Sequence, residues 1–184
     1  MANRLPHAQQ LRIIGGRWRG RRIRFPASVG VRPTPDRVRE TLFNWLGQDL
    51  DGRSTLDPFT GSGALSLEAL SRGAALAVAV DREPRLVRAL AATGHALEAA
   101  ALETHCADGY VFVAGERRLF DVVFLDPPFA DANLDSLLAA AAARVAAGGA
   151  LYVEAGAPIV APAGFVVARG DRAGQVHYHL LRRA

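Results

Sequence analysis

The sequence predicts an α/β fold: a parallel sheet covered by helices on both faces, preceded by a small basic β-hairpin and closed at its C-terminal edge by an antiparallel hairpin. Three observations carry this reading. Short branched-aliphatic runs that end in an acid, TLD at 55–57, ALAVAVD at 75–81 and FDVVFLD at 120–126, alternate with segments of helical periodicity. A glycine-rich loop, PFTGSG at 58–63, follows the first run and opens a helix. With 184 residues, 50% hydrophobic and 22% charged, the chain has enough apolar surface for one well-buried domain, which excludes disorder.

Taken in order, residues 11–26, LRIIGGRWRGRRIRFP, read as a twisted hairpin with strands over Leu11–Ile14 and Trp18–Phe25 around Gly15, Gly16 and Gly20. Its exposed face is mostly arginine. Trp18 either stacks on a base or anchors the hairpin. Next, Thr34 as N-cap, Pro35 in the first turn, Asp36 beside the positive end of the dipole, and Val38, Leu42, Phe43, Trp45 and Leu46 at helical spacing predict a helix over 35–46. The division expected is a basic extension over 1–33 and a main domain over 34–184. The alternation then runs through a helix at 64–72, a Pro84-initiated helix to about Ala100, the strand LETHC ending at Ala107 and Asp108, and a helix from Leu134 to Ala146. Gly148 and Gly149 lead into ALYVEA, after which GFVVARG and QVHYHLLRR alternate as an edge hairpin turning at Gly174.

The longest uninterrupted apolar run, Ala74 to Val80, is far short of the ~20 residues of a membrane span. The opening residues resemble no signal peptide. The one cysteine, Cys106, cannot form an internal disulfide and lies at a strand end, where it reads as buried filler. His177 and His179 share one strand face with no acid or second cysteine in the string, so no metal is expected. A monomer in a reducing cytoplasm, off the membrane, fits these features. Charge is more telling: every one of the 22 basic residues is arginine, and residues 1–40 hold ten of them against two acids. Arginine simply replacing lysine explains the composition but not the clustering, which is that of a polyanion binder gaining from counterion release.

In an open parallel sheet, ligands bind where strands end and helices begin. Here that loop runs from Asp57 through Phe59 to Gly61 and Gly63. It suits either a dinucleotide or S-adenosylmethionine. A third fingerprint glycine is lacking, and a pyrophosphate would be repelled by Asp57 whereas a methionyl amino group would be attracted, so the methyl donor is favoured. Asp81, followed by Arg82, is placed about twenty residues on for ribose hydroxyls. Asp108 either borders the adenine or caps a helix.

The string Asp126, Pro127, Pro128, Phe129 follows the strongest strand. Its prolines leave acceptors only, so the Asp126 carboxylate and the Pro127 carbonyl are suited to grip both hydrogens of an exocyclic amine while Phe129 stacks on the base. Accepting both hydrogens favours a pyramidal nitrogen aimed at the methyl carbon, and positioning supplies most of the catalysis.

DPPF resembles the acid, asparagine or serine, two prolines and aromatic signature of amino-methyltransferases that act on nucleic-acid bases. With RIIGGRWRGRRI, RPTPDRVRETLFNWL, LDPFTGSGALSLEALSRGA, FDVVFLDPPF and AGQVHYHLL, nearly the whole chain resembles the RsmD family of bacterial 16S ribosomal RNA guanine-N2 methyltransferases. The resemblance implies a Rossmann-like, seven-stranded class I methyltransferase sheet. It implies S-adenosylmethionine as donor, with no metal, and as substrate a guanine in the 16S ribosomal RNA hairpin near the P site, within a small-subunit particle. By position it assigns Asp57, Phe59, Gly61, Gly63, Asp81, Arg82 and Asp108 to the donor and Asp126 to Phe129 to catalysis. Ser66 stands where the family often has glycine. Arg12, Arg17, Trp18, Arg19, Arg21, Arg22, Arg24 and Arg37 are the expected RNA contacts. Arg32, Thr34, Arg37 and Glu40 lie in a family-like string bordering either the donor or the RNA. The competing classes are an adenine-N6 DNA methyltransferase, a non-catalytic RNA-binding factor and a nicotinamide-dependent oxidoreductase. A chain of 184 residues leaves no room for a DNA-reading domain, and the glycine loop, Asp81 and DPPF together argue against decay of the site.

Overall fold

The computed structural model describes residues 9–27, 34–128 and 133–184. Two short strands, β1 (Gln9–Arg12) and β2 (Arg22–Phe25), form an antiparallel ribbon. There follow α1 (Asp36–Leu46), β3 (Ser54–Asp57), α2 (Ala64–Ser71), β4 (Leu76–Asp81), α3 (Pro84–Ala96), β5 (Leu102–Cys106), α4 (Gly109–Gly115), β6 (Phe120–Leu125), α5 (Leu134–Ala142), β7 (Val145–Ala155), β8 (Phe165–Ala173) and β9 (Val176–Arg183). The main sheet has seven strands in the order β5-β4-β3-β6-β7-β9-β8. Its first five strands are parallel and the last two antiparallel, so the α/β class and the C-terminal hairpin are as expected.

Each face of the sheet carries its own apolar layer. On one, Val122, Phe124, Ala150 and Tyr152 pack under α1, α2, α3 and the ribbon; on the other, Leu56, Val78, Val123, Leu151 and Val153 pack under α4 and α5. The fully buried Ile13, Ile23, Leu42, Phe43, Leu67 and Leu70 sew the ribbon to α1 and α2. Burying a side chain of this size contributes about 1.5–3 kcal/mol.

Several expected boundaries shift for local reasons. Residues 13–21 are a turn-laced loop rather than strand: Gly20 donates to Ile13 and Arg19 to Gly16, while Gly16 and Gly20 take left-handed backbone at φ 73° and 83°. The cap residue of α1 is Pro35 with no side-chain cap, because the Thr34 hydroxyl is drawn away to Glu154 at 3.2 Å. Helix α3 stops at Ala96, followed by Glu98 at φ 53°, and α5 stops at Ala142 because Val145 joins the sheet opposite Phe120. Cys106 is exposed, contrary to the buried role expected of it.

The ribbon is fastened by charge as well as by apolar packing. Glu68 on α2 has no exposed side chain and accepts from the Ile14 and Gly15 N–H groups at 2.9 and 2.7 Å, from Arg72 at 2.9 Å and from Arg39 at 3.4 Å. Arg39, also fully buried, donates further to the Arg12 carbonyl at 3.0 Å, the Thr34 carbonyl at 3.2 Å and Asp36 at 2.6 Å. Removing one partner of a buried ion pair leaves the other uncompensated at a cost of about 3–5 kcal/mol. Glu68→Gln is therefore expected to lower the unfolding free energy by about that amount in a urea titration; a wild-type midpoint would show that the cluster carries no stability.

Candidate active site

Four adjacent strands end at one edge of the sheet, and each delivers a carboxylate to the same face: Asp81 from β4, Asp57 from β3, Asp126 just past β6 and Glu154 near the end of β7. The register explains the common face. Leu125 lies opposite Val153 on the α4 and α5 side, so alternation turns the next positions, Asp126 and Glu154, toward α1 and α2, the side that Asp57 and its partner Ala79 already face and to which Asp81, two positions after Ala79, returns.

The loop after β3 is held from several sides. Asp81 accepts from the Gly61 N–H at 2.9 Å with one oxygen and from the Glu83 N–H at 2.8 Å with the other, so it clamps the glycine loop to the end of its own strand. Gly63 begins α2 at φ 78°, and a side chain there would run into Leu90. Asp57 sits behind the loop, 2% exposed. Ser66 donates to it at 3.1 Å, with the Thr60 hydroxyl 3.3 Å from that of Ser66. Ser66 thus holds the buried carboxylate in place. Burial pushes the Asp57 carboxyl up to about 7, the Asp81 charge adds to the rise, and the Thr60 and Ser66 hydroxyls oppose it.

Phe59 is half-buried, its ring 5.3 Å from that of Tyr110 in an edge-on arrangement. Asp108 accepts from the Tyr110 and Val111 N–H groups at 2.9 and 3.1 Å, so of its two readings the structure displays the cap of α4. Arg82 is exposed, and its carbonyl faces the Cys106 thiol at 3.9 Å.

At the end of β6, Asp126 is partly buried, Pro127 buried and Pro128 exposed; Phe129 and Arg32 lie outside the described residues. Burial, then the charges of Glu154 and Asp57, hold the Asp126 carboxyl well above the usual carboxylate range. Glu154, 4% exposed, accepts from Tyr152 at 2.8 Å and from Thr34 at 3.2 Å. Burial raises its pKa against those two bonds, and burial beside Glu154 raises that of the Tyr152 phenol. Glu154 and Tyr152 escaped the reading of the sequence because ALYVEA is a run of core-like residues; the acid at the second-to-last position of a buried strand was the available signal. A row of crowded, desolvated carboxylates is a site for a cation or for a donor-rich group.

The expected RNA contacts separate by exposure. Arg22 and Arg24 alternate with buried Ile23 and Phe25 on β2, and Arg12, Arg17, Arg19, Arg21 and Arg37 are also exposed. Arg12 lies 3.8 Å from Asp36. Trp18, expected either to stack on a base or to anchor the hairpin, does the latter: it is 7% exposed, its backbone N–H donates to the Ser71 hydroxyl, and the Arg17 guanidinium lies 4.2 Å over its ring, so that ring is not open to a base. His177 and His179 stack at 6.4 Å on β9, and no cluster of metal-ligating side chains occurs among the described residues.

Comparison with known proteins agrees with this geometry. The profile of the family described as Conserved hypothetical protein 95 matches residues 11–182. The chain is 41% identical over 180 residues to ribosomal RNA small subunit methyltransferase D of Escherichia coli strain K12, covering 95% of this chain and 90% of that one. A solved Escherichia coli structure described as a candidate methyltransferase superposes with a TM-score of 0.86 at 38% identity, over 95% of this chain and 98% of that one. A candidate methylase from Haemophilus influenzae does so with a TM-score of 0.80 at 31% identity, over 95% and 99%. A fold match of this closeness, at this identity and over nearly the full length of both chains, places the protein in the ribosomal RNA small subunit methyltransferase D family.

Proposed function

We propose that the protein transfers a methyl group from S-adenosylmethionine to the exocyclic N2 amine of a guanine in 16S ribosomal RNA, acting as a monomer on a small-subunit particle. The observation that carries this reading is the placement of the Asp126-Pro127-Pro128 turn in one row with Asp57, Asp81 and Glu154. The donor fits the row because it is cationic at sulfur and at its amino group, and clustered carboxylates gain by facing positive charge. Asp81 takes the ribose hydroxyls with lone pairs left over from its two backbone bonds, Gly61 and Gly63 let the donor approach the backbone, and Phe59, Arg82 and Asp108 border the nucleoside.

The guanine is flipped out of its stack to reach the sheet edge. Its 2-amino group donates one hydrogen to Asp126 and one to the Pro127 carbonyl, which turns the nitrogen lone pair toward the methyl carbon. The new N–C bond forms as the S–C bond breaks, leaving the thioether neutral. The nitrogen then sheds a proton, for which Asp126, held above the ordinary carboxylate range, is a competent acceptor. Phe129 supplies the stacking surface. Exposed arginines on the ribbon and Arg37 hold the RNA through its phosphates. Adenine-N6 transfer to DNA fits the same turn, but the family's named members are ribosomal RNA methyltransferases.

Asp126→Ala is expected to reduce methyl transfer to ribosomal RNA by at least about a hundredfold, the scale of losing a positioned acid-base group, while donor affinity measured by calorimetry changes little. Equal loss of both would place Asp126 in the donor site instead. Donor affinity is further expected to rise from pH 6 to pH 8, because Asp57, with its carboxyl near 7, becomes negative across that window and favours the cation. The check is calorimetry across that range, with Asp57→Asn losing the part of the rise centred near pH 7; an identical pH profile in the variant would assign it to another group.

A further inference from the structure

Away from the carboxylate row, where the hairpin loop crosses the last turn of α2, two adjoining surface cavities open with volumes of about 400 and 570 Å³. Gly16, Gln48 and Arg72 line both, Gly15 lines the first, and a side chain at either glycine would run into Arg72 or the Ser71 carbonyl, so the loop backbone lies directly on α2. Glu40, Asn44 and Gln48, spaced four apart, line the α1 side, and Arg19 stands across from them. Arg19 is among the arginines assigned to the RNA backbone; the proposed chemistry uses neither Asn44 nor Gln48.

Gln48 is the informative member. It is one of two non-glycine residues with left-handed backbone among those described, at φ 64°. Its N–H donates to the Phe43 carbonyl at 2.7 Å and its own carbonyl accepts from Arg72 at 3.2 Å, so its conformation is fixed from both sides. Such strain persists where the surroundings over-determine it, and it clusters at functional positions. Glycine would sit here without strain, yet the position carries a carboxamide that lines both cavities.

The lining decides the ligand. A bare phosphate would meet Glu40 in one cavity and Asp49 and Asp51 in the other. A peptide would find few apolar anchors. Two carboxamides, a carboxylate and a guanidinium are together the groups that read the edge of an unstacked base, and a cavity of 300–1,000 Å³ is the usual scale for a ligand of nucleotide size. Arg17 and Arg19, on the rim, suit the attached phosphodiester. The groove lies one length of α1, roughly 16 Å for eleven residues, from the end where Thr34 meets Glu154.

We propose that this groove is a second RNA subsite, which holds one unstacked nucleotide of the ribosomal RNA apart from the guanine being methylated. It rests on the assignment of ribosomal RNA as substrate. The test is Gln48→Gly, alone and with Asn44→Ala. Glycine suits the left-handed backbone, so a purely structural Gln48 predicts an unchanged or raised melting temperature and unchanged RNA binding. The subsite predicts the same thermal result with roughly five- to tenfold weaker binding of small-subunit particles from cells lacking this gene, the scale of one base contact. KM for RNA should rise in parallel, with kcat and donor affinity held. Unchanged RNA affinity and KM in the double variant, while the wild type methylates the RNA, would overturn the subsite alone. Unchanged binding of protein-free 16S ribosomal RNA by a double variant that binds particles weakly, where the wild type binds both, would assign the groove to a ribosomal protein and also overturn it. A wild type that neither binds nor methylates the RNA of these particles would overturn the substrate assignment and the subsite with it.

Discussion

The arrangement depends on one fully buried carboxylate. Glu68 lies at the middle of α2, and two backbone N–H groups of the hairpin loop, Arg72 of its own helix and Arg39 of α1 all converge on it. Without it, Arg39 and Arg72 would be cations with little access to water, and the hairpin loop would lose its two backbone bonds to a buried charge, keeping its apolar contacts and its bonds to Ser71. Because α2 begins at the glycine loop and α1 begins beside Thr34, the same carboxylate sets the arginine-rich ribbon relative to both sides of the carboxylate edge. Buried ion pairs add little net stability over apolar packing; here the cluster supplies registry among three segments, the outer two more than fifty residues apart in sequence.

The catalytic edge carries the opposite electrostatic condition. Asp57, Asp126 and Glu154 crowd on neighbouring strands with little solvent, and each is pushed toward its neutral form. Hydroxyls from Thr34, Thr60, Ser66 and Tyr152, with the Phe59 N–H at Asp57, oppose that drift. A row that is strained when empty of positive charge gains when a sulfonium and an ammonium approach it, so affinity for the donor and readiness to take a proton from the amine come from one feature. Through Glu154, Tyr152 and Thr34 also tie β7 to the start of α1.

Much of the fold was legible because the alternation of buried β4 and β6 with capped helices is a strong local pattern, and the glycine loop, Asp81 and the Asp126 turn lie where such a pattern puts ligands. The misreadings have tertiary causes. Thr34 has the local credentials of a cap, but a buried acid 120 residues away outcompetes the helix N–H groups. Trp18 among arginines resembles a stacking platform until the Ser71 hydroxyl and the ribbon core draw it inward. Alanine-rich helices read as too long, since alanine favours helix but says nothing of where Val145 must join a strand. Arg39, Glu68 and Glu154 look like surface charges of amphipathic segments; only the packed structure shows them buried.

Whether this edge methylates a guanine amine of small-subunit RNA is read most directly from transfer of labelled methyl from S-adenosylmethionine to small subunits from cells lacking this gene, followed by nucleoside analysis of the RNA. Label in N2-methylguanosine is the expected result. Label in N6-methyladenine, with DNA the better acceptor, would contradict it.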